Sequence, residues 1–128
     1  MPNGTNLRIF TSNLNTCRDL KTRAGILDIL RGFKPDIWLM QEVNVSTEEL
    51  DSLVDNHGYS ACCNVTTEEE TARGTAIVWK KNLKLENIYV IQENRVQTAQ
   101  LGRLNLMNIY APSGSENKYA RLQDQGSK

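Results

Sequence analysis

The spacing of hydrophobic and polar positions divides the chain into segments of different period. Leu7 to Thr11 (LRIFT) is a short apolar, β-favouring run that ends in the polar stretch SNLNT, and it predicts a first strand. Leu20, Ala24, Leu27, Leu30 and Phe33 then recur at three- and four-residue intervals. That spacing predicts a helix with one apolar stripe, capped by Asp19 and ended by Gly32 to Pro35. Ile37 to Met40 (IWLM) is apolar without alternation, the pattern of a strand covered on both faces, and it runs directly into Gln41 and Glu42. Ser46-Thr47-Glu48-Glu49 matches a capping box, so a short helix should follow, with Leu50, Leu53 and Val54 inward and an end near Gly58.

The second half carries shorter periods. Tyr59 to Val65 predicts a strand, the stretch TTEEETAR a solvated loop, Thr75 to Trp79 (TAIVW) another strand, and Lys80-Lys81-Asn82 a turn. Leu85 to Gln92 and Gln97 to Leu101 predict two more strands. Leu104 to Tyr110 (LNLMNIY) alternates strongly and should be a strand that ends at Ala111-Pro112. Ser115 to Gln125 reads as the start of a helix. Strand, helix, strand, helix and then several strands on short turns predict a mixed α/β (α+β) layered fold rather than a regular βαβ repeat. No internal repeat or low-complexity segment interrupts the pattern.

Composition narrows the class. A chain of 128 residues is one domain or a piece of one, and 39% hydrophobic with 23% charged residues is a globular balance. Fifteen basic residues offset fifteen acidic ones, so no whole-protein field draws the chain to phosphate backbones, and any nucleic-acid contact must come from a local patch. Cys17, Cys62 and Cys63 are an odd set without CxxC spacing, which argues against a disulfide framework or a zinc site. The start MPNGTNLRIF has no basic n-region or apolar h-region, and no stretch approaches the roughly 20 apolar residues of a membrane helix. An intracellular protein, in nucleus or cytoplasm and without membrane contact, is therefore expected. Sequons begin at Asn3, Asn44 and Asn64, and all three are read as unmodified.

Polar residues at three predicted strand ends are the chemical candidates: Asn13, Glu42 and Tyr110. If the strands lie side by side, these ends share one sheet edge. A carboxylate there suits magnesium, which takes one or two carboxylates and keeps waters and substrate oxygens. An amide can orient that carboxylate or meet a phosphate oxygen, and a phenol can donate to a phosphate whose charge grows in the transition state. Taken singly, each has a structural reading: Glu42 a solvated strand-end acid, Asn13 a turn former, Tyr110 a half-buried core aromatic. His57, beside Gly58, reads as a helix-end cap, and Arg73-Gly74 as a loop hinge with phosphate binding as a second role for Arg73.

Read together, four segments change the balance. The first strand with Asn13-Leu14-Asn15, then KPDIWLMQE ending at Glu42, then RGTAIVWKK and NIYAPSG, in this order, resemble the endonuclease/exonuclease/phosphatase (DNase I-like) superfamily. The similarity is closest to the endonuclease domains of non-LTR retrotransposons and runs from about Leu7 to Arg121, leaving residues 1–6 and 122–128 as tails. The resemblance implies a two-sheet α/β sandwich that hydrolyses phosphodiester bonds, DNA above all, with Mg2+ or Mn2+. It implies that Glu42 is a metal ligand, that Asn13 helps hold the phosphate and metal environment, and that Tyr110 lies against the scissile phosphate. Asn15 and Arg73 are secondary candidates.

The sequence departs from that pattern after Arg121. Such domains continue with GDFN-like and SDH-like segments that supply a water-orienting aspartate, a phosphate-binding asparagine and the catalytic histidine, and no such segments occur here. The expectation is therefore the N-terminal part of a nuclease domain, a partial sandwich inactive alone, because each general acid or base contributes about 100- to 10,000-fold. An uncovered sheet face should favour self-association or a complementing chain. Two other readings stay open: a superfamily enzyme for another phosphoester, and a non-catalytic interaction module.

Overall fold

The structure is a computed structural model and describes residues 6–66 and 73–111. Its elements, in chain order, are β1 (Ile9–Asn13), α1 (Leu20–Gly32), β2 (Ile37–Val43), α2 (Thr47–Asp55), β3 (Tyr59–Asn64), β4 (Gly74–Lys80), β5 (Leu85–Gln92), β6 (Val96–Leu101) and β7 (Leu104–Ile109). They form a four-stranded sheet in the order β1-β2-β4-β3 and a three-stranded sheet β5-β6-β7. β1 and β2 run parallel with α1 as the crossover, and the remaining pairs are antiparallel. The mixed α/β two-sheet architecture expected from the sequence is present. The helix start expected at Ser115 and the loop from Thr67 to Ala72 lie outside the described residues.

Alternation along β2 and β4 builds two cores on opposite faces of the first sheet. Trp38, Met40, Ala76 and Val78 pack with Ile26, Leu30, Leu50 and Val54 of the helices. Ile37 and Ile77 point the other way, against Ala99 and Leu106 of the second sheet. Strands covered on both faces lose the polar alternation of a half-solvated strand, which explains the unbroken IWLM and AIV runs. The layers are thus helices, sheet and sheet.

Local signals place both helices. Asp19 accepts from the Thr22 amide at 2.6 Å, and Ser46 and Glu49 form the reciprocal capping box. Two expectations need correction. The α1 stripe is turned by one position: Leu20 is 82% exposed, Ala24 is exposed and Phe33 is 60% exposed, whereas Ile26 and Leu30 are buried with Leu27 and Ile29 partly so. Arg23, half-buried, takes the place expected for Ala24: its guanidinium donates to the Cys17 carbonyl at 2.8 Å and pairs with Glu49 at 3.6 Å. Phe33, beyond the helix, meets Phe10 in a tilted ring contact with centroids 5.7 Å apart. The first strand, expected at Leu7 to Thr11, begins and ends two residues later, since Ser12 finds a partner inside: its hydroxyl accepts from the Trp38 indole at 2.8 Å.

Two buried asparagines lock the frame. Asn44 accepts from the Thr16 hydroxyl at 2.7 Å and the Cys17 amide at 3.1 Å, anchoring the β1–α1 loop. Asn64 donates to the carbonyls of Gln92 and Val96 and accepts from the Asn94 amide, tying the first sheet to the β5–β6 turn. Both are sequon asparagines whose side chains are engaged inside the fold.

Candidate active site

The geometry begins with an irregularity in β2. Gln41 pairs with Thr75 and Val43 with Gly74, so Glu42 is the extra residue of a β-bulge, and its φ is 57°. Strict alternation would turn Glu42 to the helix side with Trp38 and Met40, inside the first core. The bulge gives that place to Val43, which is fully buried there, and swings Glu42 to the sheet's edge. A left-handed backbone at a non-glycine residue costs about 1 to 3 kcal/mol and persists where the surroundings hold it. Glycine would relieve that cost but remove the carboxylate.

Four other polar residues assemble around this acid. Tyr110, just past β7 and 8% exposed, donates its hydroxyl to Glu42 Oε1 at 3.1 Å, while its own amide donates to the Arg95 carbonyl at 2.7 Å. Arg73 Nη1 lies 3.4 Å from Glu42 Oε2 and donates to Asn15 Oδ1 at 3.2 Å. Asn15 has φ 63°, and its amide donates to Asn13 Oδ1 at 2.9 Å, so Asn13 and Asn15 fold the end of β1 into a tight polar turn. Asn13 is the register partner of Gln41, one residue from Glu42. The five residues singled out in the sequence thus meet at one end of the sandwich. Asn13 joins through Asn15 and Arg73 rather than by a direct bond to Glu42.

Arg73 is delivered by its neighbour. Gly74 pairs with Val43, and a Cβ on Gly74 would come within 2.0 Å of the Asn64 carbonyl oxygen. Only glycine permits β4 to start this close to β3, and that start fixes the Arg73 backbone opposite Glu42.

Beneath the site runs a polar layer that sequence reasoning missed. Asn108, 1% exposed, donates from β7 across the sandwich to the carbonyls of Met40 at 3.0 Å and Ala76 at 2.8 Å. Its oxygen accepts from the Gln41 side chain at 2.9 Å, and Gln41 also donates to Thr11 at 3.0 Å. Gln97 completes the layer, with a side-chain contact to Asn108 at 3.4 Å. The signal was present: in LNLMNIY the two-residue period puts Asn108 on the face of Leu106 and Tyr110, leaving Met107 and Ile109 outward.

Electrostatics follow from this packing. Burial, followed by the hydrogen bond and charge of Glu42, pushes the Tyr110 phenol above its usual range, while Arg73 and Arg95 pull the other way. The electrically neutral chain therefore carries two positive side chains, Arg73 and Arg95, near Tyr110. Glu42, Asn13 and Asn15 offer hard oxygen donors of the kind magnesium takes, and Arg73 Nη1 sits where the Glu42 and Asn15 oxygens converge, a protein cation at a cation-suited spot. Among the described residues no cluster of three or more His, Cys, Asp or Glu side chains is placed to hold a metal. His57 lies elsewhere, lining a cleft of about 500 Å³ with Lys34 and Lys80 at the opposite end of β4.

A two-sheet α/β sandwich with an acid, an amide pair and a phenol at one end defines a DNase I-like fold, and comparison with known proteins agrees. The sequence pattern of the endonuclease/exonuclease/phosphatase family matches residues 10–118, and the chain belongs to that family. Among solved structures, an AP endonuclease from Archaeoglobus fulgidus is 24% identical, with a TM-score of 0.73 over 92% of this chain and 48% of that one. The 3′ phosphatase NExo from Neisseria, bound to a product DNA hairpin, is 18% identical, with a TM-score of 0.71 over 94% and 48%. The human Nocturnin catalytic domain, with bound sulfate, is 17% identical, with a TM-score of 0.59 over 94% and 59%. The chain spans about half the length of the first two. No curated protein sequence matches it.

Proposed function

We propose that the chain is the N-terminal part, residues 7–121, of a metal-dependent phosphodiesterase domain of the DNA-nicking, retroelement-endonuclease type. The observation that carries this reading is the Tyr110 hydroxyl held at 3.1 Å on a carboxylate that a strained bulge has turned out of the core. RGTAI at Arg73 to Ile77 and NIYAPSG from Asn108 favour the retroelement branch. The shared fold of a phosphatase bound to a DNA hairpin supports DNA as substrate. Free thiols at Cys17, Cys62 and Cys63 suit a reducing compartment, nucleus or cytoplasm.

In this reading Glu42 is the metal ligand. Bound Mg2+ or Mn2+ would supply Lewis-acid stabilisation of the phosphate's charge. Asn13 and Asn15 hold the polar turn beside the acid and offer amide groups to phosphate oxygens. Tyr110 keeps its proton at neutral pH and donates it as a hydrogen bond to a charged oxygen, with Arg73 adding positive charge. Among the described residues the site holds one carboxylate and no second group placed to act as a base on water, so the chain alone is proposed to be inactive.

A plasmid-nicking assay with Mg2+ or Mn2+ tests this directly. The purified chain should give no robust nicking. Robust nicking abolished by Glu42→Ala would overturn the inactivity and keep the site, whereas nicking that survives Glu42→Ala would remove the site. In parallel, Mn2+ should first broaden the amide resonances of residues 13–15 and 41–43, and broadening centred elsewhere counts against Glu42 as ligand.

A second reading rests on the outer face of the β5-β6-β7 sheet, where Tyr89, Met107 and Ile109 are exposed and Thr98 pairs with both Tyr89 and Met107. An apolar row there suits a complementing chain or a second copy, and makes an interaction module the alternative to an enzyme. Light scattering that shows a monomer at all concentrations would remove self-association.

A further inference from the structure

Glu42 uses its two oxygens differently. Oε1 accepts from the neutral, buried Tyr110 hydroxyl, and Oε2 faces the Arg73 guanidinium. The first contact lies between sheets and is held by the register of β7. The second lies at the surface: the Arg73 side chain is 42% exposed, against 16% for Glu42. At 3.4 and 3.2 Å the two Arg73 contacts are longer than the roughly 2.7 to 2.9 Å of a well-seated charge-assisted bond. Among the described residues both run through the single nitrogen Nη1 and not through the bidentate fork for which guanidinium is suited.

The Arg73 backbone, by contrast, is fixed. Gly74 packs closely on the Asn64 carbonyl, and its pairing with Val43 sets where the Arg73 side chain begins. A long cationic side chain with an anchored root and a loosely held head is suited to exchange between partners. Its first partner is Glu42; the second must be an anion within reach of the same root, and Tyr110 marks where the proposed phosphate sits.

Resting on the reading of Glu42 as a metal ligand, we propose that Arg73 competes with a divalent cation for Glu42 and Asn15, and that cation binding transfers its guanidinium to the substrate phosphate. The pairing between Arg73 and Glu42 is then a counter-charge that holds the carboxylate in place beside Tyr110. Arg73 becomes a substrate-binding residue whose availability depends on the metal. A permanent structural ion pair would have neither property.

The test uses the full chain and its Arg73→Gln, Arg73→Lys and Glu42→Gln variants, with free Mn2+ followed by electron paramagnetic resonance. Arg73→Gln should bind Mn2+ about two- to fivefold more tightly, the size expected for loss of an exposed ion pair. Arg73→Lys should stay close to the parent, and Glu42→Gln should lose the site. Fluorescence anisotropy with a short labelled DNA duplex gives the second measurement. Arg73→Gln and Arg73→Lys should weaken duplex binding with Mn2+ present and leave it unchanged in chelator, where Glu42 holds the guanidinium. Mn2+ affinity unchanged or weaker in Arg73→Gln but lost in Glu42→Gln overturns the competition and keeps the metal reading. Mn2+ affinity retained in Glu42→Gln overturns both. Equal loss of duplex binding with and without Mn2+ overturns the transfer to phosphate.

Discussion

The Tyr110 hydroxyl and the Glu42 carboxylate, 68 residues apart, meet at 3.1 Å where the two sheets come together. Neither is placed by its own strand alone: Glu42 depends on the β2 bulge, and Tyr110 on β7 being clamped beneath it. The candidate site is therefore a property of the packing between sheets.

Tyr110 should titrate late. Burial first, then the hydrogen bond and charge of Glu42, hold its pKa above the ordinary phenol value. Its contribution to stability is complete below about pH 10 and is lost as pH rises through the higher folded value. The absorbance difference between the chain and its Tyr110→Phe variant isolates this titration. Glu42→Gln should move it downward without fully normalising it, because burial remains; an unmoved midpoint would contradict the Tyr110–Glu42 bond.

Asn108→Ala should be costly despite removing only a small side chain. It removes the side-chain donor from the buried carbonyls of Met40 and Ala76, while the Gln41 amide loses one acceptor and keeps Thr11 and Leu39. Each buried unsatisfied group costs about 1 to 3 kcal/mol, so denaturant unfolding should show a loss of about 2 to 4 kcal/mol after partial hydration. Asn108→Asp should be worse, since it sets a carboxylate against two carbonyl oxygens. A loss below about 0.5 kcal/mol would show that the clamp contributes little.

Gly74→Ala tests the close approach of β4 to β3. With backbone oxygen 2.0 Å from the added carbon, a flexible side chain cannot relieve the clash. Overpacking of this kind costs about 1 to 3 kcal/mol or more. Thermal unfolding should register it, and the Arg73–Glu42 pair should loosen with it. Unchanged stability would mean that the β3–β4 junction is looser than described.

Asp36 gives the acid limb. Burial alone would raise its pKa, but the Arg8 amide at 2.8 Å and the Lys80 ammonium at 3.0 Å together hold it below the usual value. The stability it adds is present above about pH 4 and disappears as pH falls from there through the lower folded value. Asp36→Asn should flatten the stability curve over that interval, as followed by chemical denaturation at stepped pH. A curve as steep as the parent's would assign the acid loss to other groups.

Several features were legible along the chain because their causes are local. Asp19, Ser46 and Glu49 cap their helices through bonds spanning three residues, so the sequence announces them. The unbroken apolar runs around Trp38 and Ile77 expose strands buried on both faces. Motif order brought out Asn13, Asn15, Glu42, Arg73 and Tyr110, all now found at one end of the fold. The α1 stripe differs from the spacing because Leu20 and Phe33 sit at helix ends, exposed, while half-buried Arg23 bonds inward to the Cys17 carbonyl.

Periodicity and capping, then, settled which segments become helices and strands, since those preferences act over a few residues. Only the tertiary structure decided that β2 carries a bulge, that Glu42 leaves the core by it, and that Asn108 joins two sheets beneath Tyr110. Those outcomes depend on register and on pairing between strands far apart in the chain. No local preference encodes them.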